Sequence, residues 1–317
     1  MSINIDETPH ISSAVFLGSK PLGLSVLSCL FKITSNIKWT IIHPNDELDS
    51  RSNINAFRDF AKINGLDFVV AESSSVTRNI IYEKKPDIGF VCGWYWLLDS
   101  EILNLIKNGL WGMHNSLLPK YRGGSPLVWS ILNGDHYVGS TVFKLTEGMD
   151  DGEILHQIKI PLEISHDISD ALFMIEKIML KELPKKWKAL ITNKALLVHQ
   201  NEHEVSFCGQ RIETDGLIDW NKEAKYVHNF IRAQTHPYPC AYTYLLQRKI
   251  KILKTKLFNG IYFGTPGQIL QRNAQTILVS CGSNTAIEIL NLIVEEKEEI
   301  PAQCIKSIKY RLSNIPI

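Results

Sequence analysis

His114 closes a short apolar run, residues 110–114, and is followed by Asn115-Ser116-Leu117-Leu118-Pro119-Lys120-Tyr121-Arg122-Gly123-Gly124. Proline fixes one backbone dihedral and paired glycines permit conformations that other residues avoid, so this stretch predicts an irregular loop. An imidazole has an unperturbed pKa of about 6.5, which suits it to move a proton between reacting groups near neutrality. Asp150 follows 36 residues later, in a predicted turn ahead of the next strand. A lone histidine is more often structural than catalytic, so its meaning depends on the elements that deliver it.

Residues 13–18 (SAVFLG) form an apolar run ending in glycine, and a helical pattern follows through Leu22, Val26, Leu27 and Leu30. Strands are predicted at 39–43, 68–70, 88–92 and 110–114, a helix at 54–63, a further strand pair at 140–145 and 154–160, and one long helix at 168–190. Strands alternating with helices imply an α/β fold with a Rossmann-like, doubly wound, mostly parallel sheet. Such sheets place ligands outside the carboxyl ends of their strands, which is where His114 would be delivered. After about residue 205 the texture changes to short strand-like pieces at 241–246, 249–253, 267–271, 277–281 and 286–290. This predicts a smaller β-rich, OB-like domain over 205–317, after a catalytic domain over 1–204. The mixed charge run at 295–299 reads as a solvated turn.

The whole chain has 317 residues, 44% hydrophobic, with a formal net charge of +1. This balance gives no general pull on polyanions, and a small-molecule partner is expected rather than nucleic acid. No apolar run approaches the roughly 18 residues of a membrane span. The polar, acidic start lacks the features of a secretory signal, so a cytoplasmic location is expected. Six scattered cysteines with no C-x-x-C pair predict reduced thiols and no zinc site. The turn Gly18-Ser19-Lys20-Pro21-Leu22-Gly23 fits neither G-x-G-x-x-G nor a P-loop, and neither H-E-x-x-H nor G-x-S-x-G occurs.

His114 to Gly123, Asn133-Gly134, Gly139-Ser140-Thr141 and Asp150-Asp151-Gly152-Glu153-Ile154 form a long ordered motif that resembles the folate-dependent formyltransferase family. Arg211 to Trp220 and Ile231 to Tyr244 are similar to the second domain of its sugar-nucleotide branch, a relative of methionyl-tRNA formyltransferase. The resemblance implies transfer of a formyl group from N10-formyltetrahydrofolate to an amine, without a metal. That reaction needs a stabilised oxyanion and a proton moved from the attacking nitrogen to the leaving one. His114 and Asp150 are the implied catalytic pair, the carboxylate orienting the imidazole; the Asp-x-Gly-x-Ile register selects Asp150 over Asp151. The family's asparagine, two residues before its histidine, is replaced here by Gly112, and losing one oxyanion donor costs about 10²- to 10³-fold. Asn115, a backbone N–H or a water could supply the bond. In an extended strand, though, Asn115 points away from the face shared by 112 and 114.

Trp94, Tyr95, Trp96 and Leu97 fall where the family binds the pterin, with Thr146, Gly148 and Met149 forming the facing wall; aromatic packing is the alternative for the former group. The expected acceptor is a dTDP-, UDP- or GDP-linked amino sugar. Lys120, Tyr121, Arg122 and Tyr238 are candidates to bind it, although Lys120 and Arg122 could equally be solvated, and Trp129 reads better as core. The short acidic loop at 45–51 argues against tRNA, which demands basic surface. The remaining readings are methionyl-tRNA formyltransferase and, because of Gly112, a folate- or sugar-nucleotide-binding protein with impaired catalysis. A homodimer is possible.

Overall fold

Strand β1 (Ser13–Gly18) is buried along all but its first residue, as a strand covered by helices on both faces must be. The computed structural model describes residues 11–49 and 51–316; the polar opening segment read above and Ser50 lie outside them. After β1 come α1 (Lys20–Ile33), β2 (Lys38–Pro44), α2 (Ile54–Asn64), β3 (Asp67–Ala71), α3 (Ser74–Lys84), β4 (Ile88–Cys92), α4 (Ser100–Asn104) and β5 (Leu110–His114). Local chemistry sets their ends. Pro21 opens α1, the Ser73 hydroxyl caps α3, and the Asp99 carboxylate caps α4.

Two-residue β6 (Arg122–Gly123), α5 (Pro126–Leu132), β7 (Tyr137–Lys144), β8 (Ile154–Pro161), α6 (Ile168–Ile191) and β9 (Phe207–Cys208) follow. The seven-stranded sheet runs β3-β2-β1-β4-β5-β7-β8, with β1 to β5 parallel and β7 antiparallel to β5. This is the Rossmann-like, mostly parallel sheet expected from the sequence. Its winding reverses between β1 and β4, the switch point at which open sheets form a ligand crevice. Phe16 stacks on Phe90 at 6.1 Å and Trp187 of α6 meets Phe90 edge-on at 5.4 Å. Each such fully buried side chain contributes about 1.5–3 kcal/mol.

Contacts divide the chain into two units. One comprises the residues up to Gly123, Gly139–Lys159 and Met174–Phe207; the other comprises Gly124–Val138, Ile160–Phe173 and Cys208–Ile317. The second is built on α7 (Ala224–Arg232), β10 (Ala241–Leu245), β11 (Arg248–Leu257), β12 (Ile269–Arg272), β13 (Ile277–Ser280), β14 (Ala286–Val294), β15 (Lys297–Glu299), α8 (Pro301–Cys304) and β16 (Leu312–Ser313). Its sheet is antiparallel in the order β12-β13-β14-β11-β10-β16, with β15 paired to β14. The charge run at 295–299 turns β14 into β15, with both Glu295 and Glu296 at positive φ.

Helix α7 falls in a stretch to which the sequence reading assigned no element, ahead of the strand-like pieces. Its buried Val227, Phe230 and Ile231 follow helical spacing, and it packs on β11. Arg232 Nη1 donates to the Glu163 and His166 carbonyls at 3.2 and 2.7 Å, and His228 Nε2 donates to the Ile164 carbonyl at 3.0 Å. These bonds explain why residues 160–173 cluster with the second unit. No helix among the described residues is long and apolar enough to cross a membrane.

Candidate active site

His114 is the last residue of β5, and its side chain is 10% exposed. Its Nε2 lies 2.7 Å from the Tyr121 carbonyl oxygen. A carbonyl only accepts, so Nε2 carries a proton, and Nδ1 is the nitrogen left to gain or lose one. That nitrogen faces Asp150 Oδ2 at 3.6 Å. The same carboxylate oxygen accepts the Gly123 N–H at 2.8 Å, so the loop after His114 fixes both partners. Asp150 itself has φ of 51°, a left-handed conformation that costs a non-glycine residue about 1–2 kcal/mol and that aspartate tolerates better than most. Asp151 faces elsewhere, bonded to the Thr146 hydroxyl and packed beneath Gly148.

The backbone around Asp150 is tied down by a residue that the sequence did not single out. Gln200 Nε2 donates to the Asp150 carbonyl at 2.7 Å and the Gly152 carbonyl at 2.8 Å. Arg122 in turn donates from Nε and Nη2 to Gln200 Oε1 at 3.1 and 2.9 Å, and from Nη2 and Nη1 to Glu202 at 2.7 and 3.3 Å. This corrects the expectation that Arg122 meets a charged substrate. It is 4% exposed and its guanidinium is committed internally. Lys120 beside it is exposed, and Tyr121, at φ of 61°, donates its N–H to the Ser206 hydroxyl oxygen at 2.9 Å.

Gly112 shares the His114 face of β5, and an asparagine there would have to displace the end of the Leu145 side chain. A Cβ at this position would sit 2.7 Å from Leu145 Cδ1. Asn115 does not substitute. The ladder pairs His114 with Thr141, which sets Asn115 against Ser140 on the opposite face, where its Oδ1 accepts the Ser140 hydroxyl at 3.0 Å. The candidate oxyanion role of Asn115 is therefore withdrawn on geometry.

On the other flank, residues 93–98 leave β4 beside the switch point. Gly93, at φ of 74°, lies so close to the first turn of α1 that a Cβ would meet the Ser19 carbonyl at 2.8 Å. Apart from the Leu97 carbonyl, which accepts from Ser74 Oγ at 3.3 Å, the backbone N–H and C=O groups of residues 94–98 have no partner among the described residues. Trp94 packs edge-on against Trp96 at 5.1 Å, and its buried Nε1 has no partner either. Leu97 is 91% exposed. Tyr95 is anchored through its hydroxyl, 3.0 Å from Asp46 Oδ2 and 2.9 Å from Asp49 Oδ2, with Lys20 bonded to all three and 4.7 Å from the ring centroid. Burial and the two carboxylates push the Tyr95 phenol well above its ordinary value. Asp49, despite its partial burial, is pulled down by Arg51 and Lys20. The loop at 45–51 thus holds Asp46 and Asp49 in internal bonds and leaves Glu47 exposed. Thr146, Gly148 and Met149 are exposed.

In the second unit, Trp129 donates Nε1–H to the Gly209 carbonyl at 2.8 Å and carries the Arg211 guanidinium 5.1 Å from its ring centroid; Tyr238 is half-buried and donates its N–H to the Thr235 carbonyl at 3.0 Å. An apolar groove of about 630 Å³ runs along α1, α2 and α6, lined by Leu24, Cys29, Ile33, Phe60, Leu180 and Pro184, and none of the candidate residues lines it. No group of three or more His, Cys, Asp or Glu poised for a metal occurs among the described residues.

The chain resembles known proteins along most of its length. Residues 63–179 match the formyl transferase family and residues 211–308 match its C-terminal domain. The chain is 33% identical over 275 residues to a bifunctional polymyxin resistance protein ArnA from Wigglesworthia glossinidia brevipalpis; that match takes in 85% of this chain but spans only 41% of the relative. It is 28% identical over 298 residues to a methionyl-tRNA formyltransferase from Thermodesulfovibrio yellowstonii, covering 91% of this chain and 93% of that one. Among solved structures, an N-formyltransferase from Helicobacter canadensis in complex with folinic acid and dTDP-3-aminofucose shares the fold, with a TM-score of 0.67 at 20% identity over 88% of this chain and 99% of that one. With both family domains present and a histidine–aspartate pair at the carboxyl end of β5, the chain belongs to the formyl transferase family.

Proposed function

We propose that this enzyme transfers a formyl group from N10-formyltetrahydrofolate to the amine of a nucleotide-linked amino sugar. The observation that carries the reaction is the His114–Asp150 pair, in which one imidazole nitrogen is committed to a backbone carbonyl and the other faces a carboxylate. Nδ1 takes the proton that the attacking amine sheds and delivers it to the departing nitrogen. Asp150 stabilises the charged imidazole between those events, and positioned proton transfer of this kind contributes about 10²- to 10⁴-fold.

The donor supplies the formyl group and a planar heterocycle whose edge both donates and accepts hydrogen bonds. The unpaired backbone groups of residues 94–98 and the free Trp94 Nε1 fit such an edge. Trp94, Tyr95, Trp96 and Leu97 would hold it, with Thr146, Gly148 and Met149 opposite. A folate derivative and an amine-bearing dTDP-sugar are bound together in the Helicobacter canadensis structure, which supports this pairing of substrates. Lys120 and Tyr121 remain the candidates to meet the acceptor.

The full-length match to a methionyl-tRNA formyltransferase supports a second reading. Incubation with 10-formyltetrahydrofolate and a panel of dTDP-, UDP- and GDP-amino sugars, following release of tetrahydrofolate, separates the two. Formylation of one sugar, lost by about 10²- to 10⁴-fold in His114→Ala and strongly reduced in Asp150→Ala, is the expected result. Formylation of charged initiator tRNA instead would move the acceptor, and no turnover with any amine would leave a binding protein.

A further inference from the structure

We propose that Gln200 and Arg122 are positioning residues for the reaction, forming a relay that sets Asp150 against His114 through the backbone. The inference rests on reading His114 and Asp150 as the catalytic pair. Both ends of the Gln200 amide are spoken for. Its nitrogen donates to the Asp150 and Gly152 carbonyls at 2.7 and 2.8 Å, and its oxygen accepts twice from Arg122 at 2.9 and 3.1 Å. The orientation follows from the partners alone, since carbonyls only accept and a guanidinium only donates. The amide therefore cannot turn over without breaking four bonds.

Residues 150 and 152 flank the turn in which Asp150 adopts its left-handed conformation. Holding both carbonyls fixes that turn without touching the carboxylate, which stays directed at Gly123 N–H and His114. Arg122 is buried and sits in β6, the pair of residues whose next member, Gly123, donates to Asp150. One residue thus acts on the aspartate from two sides: its side chain reaches the turn through Gln200, and its neighbouring N–H grips the carboxylate. The Arg122 N–H is itself anchored on the Ser206 carbonyl at 2.8 Å, so the segment carrying Gln200 and Ser206 braces the loop after His114. A shift of about 1 Å in a reacting group can cost 10²-fold in rate, so a brace of this kind belongs to the chemistry although it touches no substrate.

The test compares Gln200→Leu, Arg122→Lys and Asp150→Asn. In protein labelled with ¹⁵N-histidine, the His114 ring signals, identified by their loss in His114→Gln, report the carboxylate beside Nδ1 without any substrate. Asp150→Asn is expected to move them, and Gln200→Leu to move them in the same direction. In turnover with 10-formyltetrahydrofolate and a dTDP-amino sugar, Gln200→Leu should lower kcat by between about 10- and 100-fold while both KM values hold within about twofold. Gln200→Leu placed on Asp150→Asn should cost little more. Should Gln200→Leu fail to fold, Arg122→Lys, which keeps the charge and loses the two-point fork, carries the same expectations at smaller size. Unchanged His114 signals in a folded Gln200→Leu or Arg122→Lys, with Asp150→Asn displaced, would overturn the relay alone. Signals unmoved by Asp150→Asn would instead remove the catalytic pair on which the relay depends.

Discussion

The two flanks of the site are held in opposite ways. At the end of β5 the candidate pair is held by internal bonds: His114 on Tyr121, Asp150 on Gly123, and the Asp150 turn on Gln200. Beside β4 the backbone of residues 94–98 is left almost wholly unpaired among the described residues, and the segment is tethered by the Tyr95 hydroxyl, the Leu97 carbonyl and the Asp99 cap that follows. Proton transfer needs a geometry fixed before the substrate arrives, whereas a binding edge needs donors and acceptors still available to it. An unpaired backbone group in a half-exposed segment can bond water meanwhile, so the open edge is tolerated.

The largest effect that would probe this contrast comes from refilling the catalytic flank. Gly112→Asn restores the residue type used elsewhere in the family, but Leu145 stands 2.7 Å from the new Cβ. Overpacking costs about 1–3 kcal/mol, so the variant should lose that much stability in a urea titration and gain no turnover. Trimming the obstruction in Gly112→Asn/Leu145→Ala should recover part of the turnover. A stable, faster Gly112→Asn single variant would show that this flank is looser than its bonding indicates.

The donor flank is tested next by cutting its tether. Tyr95→Phe removes the bonds to Asp46 and Asp49 and keeps the ring beside Lys20. A hydrogen bond of this sort contributes about 1 kcal/mol, which corresponds to roughly a fivefold rise in KM for the formyl donor with kcat unchanged. A fall in kcat with KM unmoved would place Tyr95 in the chemistry instead.

Much of this was legible in the sequence, for identifiable reasons. Residues 13–18, 88–92 and 110–114 are apolar runs bounded by glycine, proline or polar residues, and each became the strand read from it. His114 and Asp150 stood out because an ordered motif surrounds both. Gln200 had no such signal, being a single amide in a polar coil whose partners are backbone carbonyls 48 and 50 residues away. Arg122 misled because a charged residue in a loop reads as exposed, and only the fold shows that Gln200 and Glu202 come round to meet it. The loop at 45–51 misled in the same manner: Asp46 and Asp49 look like surface charge until Lys20 arrives from the turn after β1. Helix α7 carried a signal that went unread, since Val227, Phe230 and Ile231 keep helical spacing ahead of the first strand-like piece at 241.

The smallest effect expected is a pH dependence confined to the donor flank. His43, at the end of β2, is fully buried beneath the loop that carries Asp46; its Nδ1 donates to the Pro44 carbonyl at 2.7 Å and its Nε2 has no partner. Burial lowers its pKa, outweighing the nearby Asp46, while Lys20 and Arg58 push in the same direction as burial. A base whose folded pKa lies below its unfolded value binds its proton more readily when unfolded. The stability it contributes is therefore complete above the ordinary histidine value near 6.5, and it declines as pH falls from there toward the folded pKa. Between pH 7.5 and 5.5, Tm should fall further for the wild type than for His43→Phe, which keeps a ring against Phe57 and cannot titrate. His156 and His228, whose pKa values are also lowered by burial, titrate in both proteins, so the difference between the two slopes isolates His43. Equal slopes in the two proteins would show that the buried His43 does not set the acid response.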